Sequence, residues 1–479
     1  MTASSAANRR VAVVGGGIAG LSAAYTLAKA RHEGAPVEGI LVEASTRLGG
    51  VIRSEQVEGC VVEAGPDSFL AEKPEAAALV RELGLGDLLT GSNDPERKTY
   101  ILHRGKLQPL PDGLMLLVPT RAWPMITTPL LPFSSKLTMV GEWFHTPRAN
   151  APEDESVADF VTRHFGRAML ENIADPLLAG VYGGDSAQLS MRSVLARFWK
   201  MEREQGSLTR ATLAAMRTRR ANAAAEPPPL FMTLAGGLSQ LTARLAAQLD
   251  PAAAHTGHCV VSVERASSGE PRGFRVRLED GTTLEAEAVI LSLPAHAAAR
   301  NLSGINKTLS AHLAEIPYSS AMTVSMGFEA DQLRDLLPGF GFLVPAKERR
   351  RLLACTFVHR KFPANVAKGR ALLRCFLGGS RDAQVLGLSD DDALSIVRRE
   401  LGEILGLTAQ PLFTRVYRWP DSMAQYIVGH EERLRAIQAE LEKSPGIYLA
   451  GNAYSGIGIS DCIRTGRAAA EGALALLSG

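Results

Sequence analysis

The sequence is most informative at first in what it lacks. Its five cysteines, Cys60, Cys259, Cys355, Cys375 and Cys462, form neither a CxxC nor a CxxxxC pair. That spacing argues against a zinc ribbon, a disulfide framework and a redox-active vicinal disulfide, and it makes a reducing cytoplasm the natural setting. No HExxH occurs and the ten histidines are scattered, so no catalytic metal is expected. No apolar run reaches the roughly 20 residues that cross a bilayer, and the small polar residues before Arg9 do not read as a secretory signal. Lys and Arg total 52 against 50 Asp and Glu, a balance of +2 that gives no general attraction to nucleic acid. Only one GxGxxG stands between a strand and a helix. A second, pyridine-nucleotide domain is therefore not expected, and electrons would leave to molecular oxygen or another acceptor.

With 46% hydrophobic residues, 479 positions suffice for two or three domains with buried cores. Arg10–Gly15 reads as a buried parallel strand and Ile18–Ala30 as an Ala-rich helix, with Gly15, Gly16 and Gly17 leading through Ile18 and Ala19 to Gly20. In this motif Gly15 makes the tight turn and Gly17 admits a pyrophosphate. Gly20 lets the helix pack closely on the strand, so that its N-terminus faces the phosphates. A second strand, Gly39–Val42, delivers Glu43 and Ala44 at about the 20-residue spacing of an acid that binds an adenosine ribose. A carboxylate there would repel a 2′-phosphate.

Arg47, Gly49 and Gly50 then place a cation and two flexible residues where a longer dinucleotide could run. At this point the chain resembles the flavin-containing amine oxidase superfamily, which implies FAD as the cofactor. Gly65, Pro66, Asp67 and Ser68 resemble that superfamily's turn beside the flavin. The strand Ile447–Asn452 and the helix that Ile457, Gly458 and Ile459 lead into resemble its closing elements. A helix N-terminus there would stabilise negative charge on a reduced flavin. By the same resemblance Val260 meets the adenine and Trp419 contacts the flavin. Val260–Val261, Gly273–Leu278, Thr283–Glu285 and Ala288–Leu293 read as a small β-meander.

Leu114–Phe133 is apolar but broken by Pro119, Pro124, Pro129 and Pro132, which predicts short helices joined by bends. Trp123, Leu130, Leu131 and Phe133 are placed either to face lipid or to cover a pocket. Helices are expected over Val157–His164, Ala168–Pro176 and Arg192–Glu204, with a linker at Ala221–Pro229. The expected division is an α/β fold. A Rossmann-type FAD-binding domain comprises 1–90, 230–295 and 425–479, a mixed-sheet substrate domain 91–113 and 296–424, and an inserted helical domain 114–229. A homodimer and a peripheral contact with the inner face of a membrane stay open.

Gly65–Leu70, Gly180-Val-Tyr-Gly-Gly-Asp185, Gly341-Phe-Leu-Val-Pro345, Arg418-Trp-Pro and Gly451-Asn-Ala-Tyr together resemble the porphyrinogen oxidases. The resemblance covers nearly the whole chain. It implies FAD-dependent, oxygen-linked six-electron oxidation of a porphyrinogen in haem biosynthesis, of coproporphyrinogen III or of protoporphyrinogen IX, with the Gram-positive-type branch and coproporphyrinogen III favoured. It also implies that Leu343 and Phe376 sandwich the macrocycle and that Gly180, Gly183 and Gly184 line the pocket. Thr356 stands where plant members are apolar. Position 99, an arginine in some members, is Thr99. Lys73, Arg97 and Lys98 are the candidates for binding propionates. No general base stands out, because the flavin accepts the hydride. An amine oxidase or desaturase, and a non-catalytic FAD-fold binding protein, are the more distant readings.

Overall fold

The computed structural model describes residues 9–115, 117–148, 150–222, 229–266 and 273–478. Its first sheet is parallel and five-stranded, in the order Ala254–Thr256, Val37–Glu43, Arg9–Val14, Ala288–Leu291, Ile447–Leu449. Val11 to Val14 are buried on both faces, which is what a continuous β-branched run achieves at the centre of such a sheet. The helix Ile18–His32 follows the Gly-rich turn and packs on the C-terminal helix Ile459–Ser478. Small residues set that contact: a Cβ on Gly466 would lie 2.1 Å from the Ala19 carbonyl oxygen. The two ends of the chain therefore build one layer.

The expected meander is only partly realised. Val260–Arg265, Phe274–Leu278 and Thr283–Ala286 pair antiparallel, but Ala288–Leu291 leaves them for the parallel sheet, between Arg9–Val14 and Ile447–Leu449. All four of its residues are buried, and a strand apolar on both faces has no place at the edge of a small meander. The helices Ala295–Leu302 and Lys307–Ala314 pack into the same core through Ala298, Leu302, Leu309 and Leu313.

The second sheet has seven strands, in the order Phe413–Ala424, Tyr318–Glu329, Arg370–Gly378, Leu352–Phe357, Gly341–Leu343, Thr99–His103, Lys106–Pro109. Pairing is antiparallel except between Gly341–Leu343 and Thr99–His103, so the sheet is mixed. Side chains alternate between its faces. One face carries Met322, Val324, Leu373, Cys375 and Phe342, covered by Ala393, Val397 and Leu401 of the helix Asp390–Leu405. The other carries a row, Tyr417, Thr323, Phe376, Ala354, Leu343 and Ile101, each opposite the next.

The helical region packs over that second face. Its helices include Ala122–Thr127, Phe133–Glu142, Val157–Phe165, Asp175–Tyr182, Ala196–Gln205 and Leu208–Asn222. A small hairpin, Leu114–Met115 with Val118–Pro119, precedes them where short helices were expected. Residues 223–228 of the expected linker lie outside the described residues. Of the four side chains expected to act together, Trp123 and Phe133 are each 74% exposed, but Leu130 and Leu131 are buried among Phe160, Met169 and Ile173. The segment between Pro129 and Pro132 turns inward, where Asn172 donates to the Leu130 carbonyl. No helix among the described residues is long and apolar enough to cross a membrane.

Candidate functional site

At the end of the first strand, Gly15 takes φ 104°, a conformation that L side chains rarely adopt. A Cβ on Gly20 would stand 1.9 Å from the Gly15 carbonyl oxygen, so the helix can lie against the turn only with glycine there. Gly17 differs. A Cβ at this position would meet nothing within 4 Å, and its helix starts without a side-chain cap. Open space at an uncapped helix N-terminus is what an anionic pyrophosphate requires. Ile18 and Ala19 are buried beneath it. Glu43 is fixed at the rim: its Oε2 accepts from Gly16 N at 2.6 Å and its Oε1 from Ser45 N at 2.8 Å, beside the exposed Ala44.

Gly49 N donates to the Gly16 carbonyl at 2.8 Å, and a Cβ on Gly50 would approach Gly17 Cα to 3.0 Å, so the two glycine turns close on each other. Arg47, the cation expected where a longer dinucleotide could run, turns its guanidinium to its own loop. Its guanidinium donates to the carbonyls of Leu48, Gly50 and Ile52, and burial lowers its pKa. It staples the loop that forms this wall of the cradle.

The turn Gly65–Ser68 lies where the two sheets meet. A Cβ on Gly65 would strike the Val51 carbonyl oxygen at 1.9 Å. Trp419 Nε1 and Thr323 Oγ1, both from the second sheet, donate to the Ala64 carbonyl at 2.8 and 3.0 Å. Beside Pro66, Asp67 accepts from Ser68 Oγ at 2.6 Å and lies 3.1 Å from Lys361 Nζ and 3.7 Å from Arg374. Burial would raise its carboxyl, but the two cations outweigh burial and hold it at about 2. Glu63, just before this turn, is pushed up by burial to about 7, although Leu238 N and Ser54 Oγ both donate to it.

Leu343, Thr356 and Phe376 share one face of the second sheet, the face that looks toward the helical region. Gly180 faces them, since a Cβ on it would lie 3.4 Å from Leu343 Cδ2. The Gly183 carbonyl accepts from Ser380 N at 2.7 Å, and a Cβ on Gly184 would reach within 2.4 Å of Gln425 Oε1. The 180–184 segment is thus locked to the second sheet, with no side chain at Gly180, Gly183 and Gly184.

The three cations expected together are not together. Lys73 Nζ lies 2.5 Å from Asp461 Oδ2, in the first turn of the C-terminal helix. Arg97 and Lys98 occupy a different rim. Their loop abuts Arg360 and Lys361 through Asn93 N to the Lys361 carbonyl at 3.0 Å and an Arg360–Glu96 pair at 3.7 Å. Arg97 itself pairs with Asp94 at 3.3 Å. The start of the C-terminal helix is also less free than the sequence implied: Asp461 Oδ2 accepts from Gly458 N at 3.2 Å, with Ile457 and Ile459 alongside. The carbonyl of Val260, on the meander, accepts from Asn301 Nδ2 at 3.0 Å.

The sequence reading missed Arg374 and Lys361. Arg374 is 4% exposed, donates to the Gly65 carbonyl and stacks 4.8 Å from the Phe376 ring centre. Its position two residues before Phe376 puts it on the same face, which was the available signal. In the helical region, Glu142, His145 and His164 bring ligating atoms within 4.8 Å of one another. Buried His164 there faces Glu142 at 3.3 Å and Glu202 at 3.2 Å. Burial would lower its pKa, but the two carboxylates raise it, and Glu142, His164 and Glu202 join three helices through one internal polar cluster.

Residues 18–474 match the family described as flavin containing amine oxidoreductase. The chain is 34% identical to a coproporphyrinogen III oxidase of Bacillus subtilis, with 98% of each chain covered. It is 29% identical to a chloroplastic protoporphyrinogen oxidase 1 of Arabidopsis thaliana, over 94% of this chain and 85% of the relative. A crystal structure from Exiguobacterium sp., described provisionally as a protoporphyrinogen oxidase, superposes with a TM-score of 0.85 at 29% identity, over 98% of this chain and 99% of the other.

Proposed function

The chain belongs to the flavin containing amine oxidoreductase family, and from that premise we propose that it oxidises a porphyrinogen to the porphyrin in haem biosynthesis, with coproporphyrinogen III preferred over protoporphyrinogen IX. The cofactor is FAD. The observation that carries the substrate reading is the row Phe376, Ala354, Leu343 lying under the bare backbone of Gly180, a slot with an aromatic and an aliphatic wall suited to a flat macrocycle.

The residues present fit FAD. The space over Gly17 would take the pyrophosphate and Glu43 the ribose. Gly65–Ser68, Trp419 and Ile457–Ile459 would border the isoalloxazine, where Val51 and Ala64 already fix the turn. When bound, FAD supplies the two-electron acceptor for each dehydrogenation. The chain's own residues orient and exclude water. Phe376 and Leu343 fix the macrocycle plane, and Gly180, Gly183 and Gly184 leave it room. Molecular oxygen or another diffusible acceptor would remove the electrons.

The preference for coproporphyrinogen rests on the cations of one rim, Arg97, Lys98, Arg360 and Lys361, which suit four propionates better than two. A second surface supports peripheral membrane contact. Trp123, Ile126, Phe133, Leu137, Val140 and Phe144 are all exposed, and Phe133, Leu137, Val140 and Phe144 fall at helical spacing along one stripe. A second copy of the chain is the other occupant this stripe could take.

The test is kcat/KM of the holoprotein for both porphyrinogens, followed by the appearance of porphyrin fluorescence, with anaerobic bleaching of the flavin as control. Coproporphyrinogen III should be preferred about tenfold or more, roughly 1.4 kcal/mol in transition-state binding. Equal or reversed values would exclude the preference, and failure of both substrates to bleach the flavin would exclude the reaction.

A further inference from the structure

We propose that Lys361 and Arg374, held in place by Asp67, form the anion site that takes one carboxylate of the substrate. The inference rests on the porphyrinogen reading above and deepens it.

Charge is the first argument. Two cations, Lys361 at 3.1 Å and Arg374 at 3.7 Å, face the single carboxylate of Asp67. A further acid, Glu63, also faces Arg374, but burial pushes its carboxyl up to about 7 and its hydrogen bonds come from Leu238 N and Ser54 Oγ, so below that pH it does not offset the second cation. Across the sheet, the row of Arg374 runs Arg415, Ser325, Arg374, Thr356, Gly341 and Thr99; its one other charged member, Arg415, is a cation paired with Glu55 at 3.2 Å, so no acid in the row offsets Arg374. Tyr417, which also faces Arg374, is neutral at ordinary pH, its hydroxyl pushed up to about 12 by burial and then by Glu55. The cluster therefore carries a positive surplus.

Burial is the second. Lys361 and Asp67 side chains are 12% and 16% exposed, and that of Arg374 5%. Arg374 Nε is buried without a hydrogen-bond partner among the described residues. A desolvated surplus charge with an orphaned donor is costly unless a ligand supplies the anion.

Place is the third. Arg374 stacks on Phe376, a wall of the macrocycle slot, while Lys361 Nζ lies 4.6 Å from the Phe231 and 4.9 Å from the Phe362 ring centre. A carboxylate bound here would hang from the edge of a ring lying on Phe376. Of the other cations, Lys73 pairs with Asp461 on a different wall, while Arg97 and Arg360 lie farther out on the rim, each beside one exposed or half-exposed acid, Asp94 and Glu96. Asp67 acts as a positioning residue: Lys361 Nζ reaches both of its oxygens, at 3.3 and 3.1 Å, and Ser68 Oγ donates to Oδ1, which fixes the carboxylate against the ammonium.

The experiment compares holoenzyme carrying Lys361→Met or Lys361→Arg with wild type, on coproporphyrinogen III and on its tetramethyl ester. Lys361→Met should lower kcat/KM at least tenfold on the free acid, through KM, with little change on the ester. Lys361→Arg should keep most of the wild-type value, and FAD affinity should be unaltered in both. An equal loss on acid and ester would overturn the assignment. So would a loss of FAD affinity without a change in KM, because the cluster would then serve the flavin. Binding is read in parallel from quenching of coproporphyrin III and its tetramethyl ester. Should wild type oxidise neither porphyrinogen, the proposed reaction falls. Acid-over-ester binding that Lys361→Met abolishes would still support the anion site, and indifference to ester or variant would end it.

Discussion

Lys73 Nζ lies 2.5 Å from Asp461 Oδ2, joining residues 388 positions apart in the chain. The pair bridges the segment after the Gly65–Ser68 turn to the start of the C-terminal helix. The carboxylate is nearly buried and the ammonium is half exposed, so the pair holds these two segments together. Lys73→Met should cost about 1 kcal/mol, the upper end for a partly exposed pair, and leave KM for coproporphyrinogen within twofold. Thermal melting and steady-state kinetics check this together. A raised KM with an unchanged melting temperature would return Lys73 to the substrate.

Gly17 and Gly20 should separate cofactor binding from folding. Gly17 has φ −70° and open space around its missing Cβ, so Gly17→Ala should leave the apoprotein's melting temperature unchanged. The added methyl would project into the pyrophosphate space and weaken FAD binding about tenfold or more, roughly 1.4 kcal/mol. Gly20→Ala meets backbone instead and should destabilise the protein itself by about 3 kcal/mol. Calorimetry with and without FAD distinguishes the two.

Glu63 should impose a pH dependence of the opposite sign to most acids. Its carboxyl is raised to about 7 when folded, so between the unfolded value of 4.5 and about 7 the folded state holds the extra proton. Its contribution is fully present below pH 4.5 and is lost as pH rises through 7. Glu63→Gln removes that loss. The melting temperature of Glu63→Gln minus that of wild type should therefore grow from pH 5 to pH 8, and a difference independent of pH would show that Glu63 ionises normally.

The exposed stripe of the helical region should be separable from catalysis. Replacing Trp123, Phe133 and Phe144 together by Ser removes its largest exposed rings. Co-sedimentation with vesicles containing anionic phospholipid should fall at least fivefold, while kcat/KM in detergent-free solution stays the same. A shift from dimer to monomer in light scattering, with vesicle binding intact, would instead assign the stripe to a second copy.

What was legible in the sequence was local. Gly15, Gly17, Gly20 and Glu43 lie in one continuous strand, turn, helix and strand, and each role follows from that spacing alone. Leu343 and Phe376 were reached by resemblance, and the strand register then put them on one face. The errors came where a distant partner decides. Ala288–Leu291 looked like a meander strand until its neighbour proved to be Arg9–Val14. Leu130 and Leu131 read as one group with Trp123 and Phe133, to face lipid or cover a pocket together, but the segment between Pro129 and Pro132 turns inward and separates the two pairs. Lys73 read as a free cation because nothing near it in sequence announces Asp461. The Asp67–Lys361 pair spans 294 positions, and no spacing rule reaches that far.

The contact of Gly466 with Ala19 has a consequence in time. Residues 9–43, which hold the turn and the ribose acid, emerge early in synthesis, but the layer that covers the first helix comes from residues 447–478. Until that last strand and helix are made, the Ala19 face stands bare and the sheet lacks its outer strand at Ile447–Leu449. The Gly-rich turn is thereby backed by a complete layer only once residues 447–478 have docked on residues 9–43, so two segments more than 400 positions apart fold as one unit.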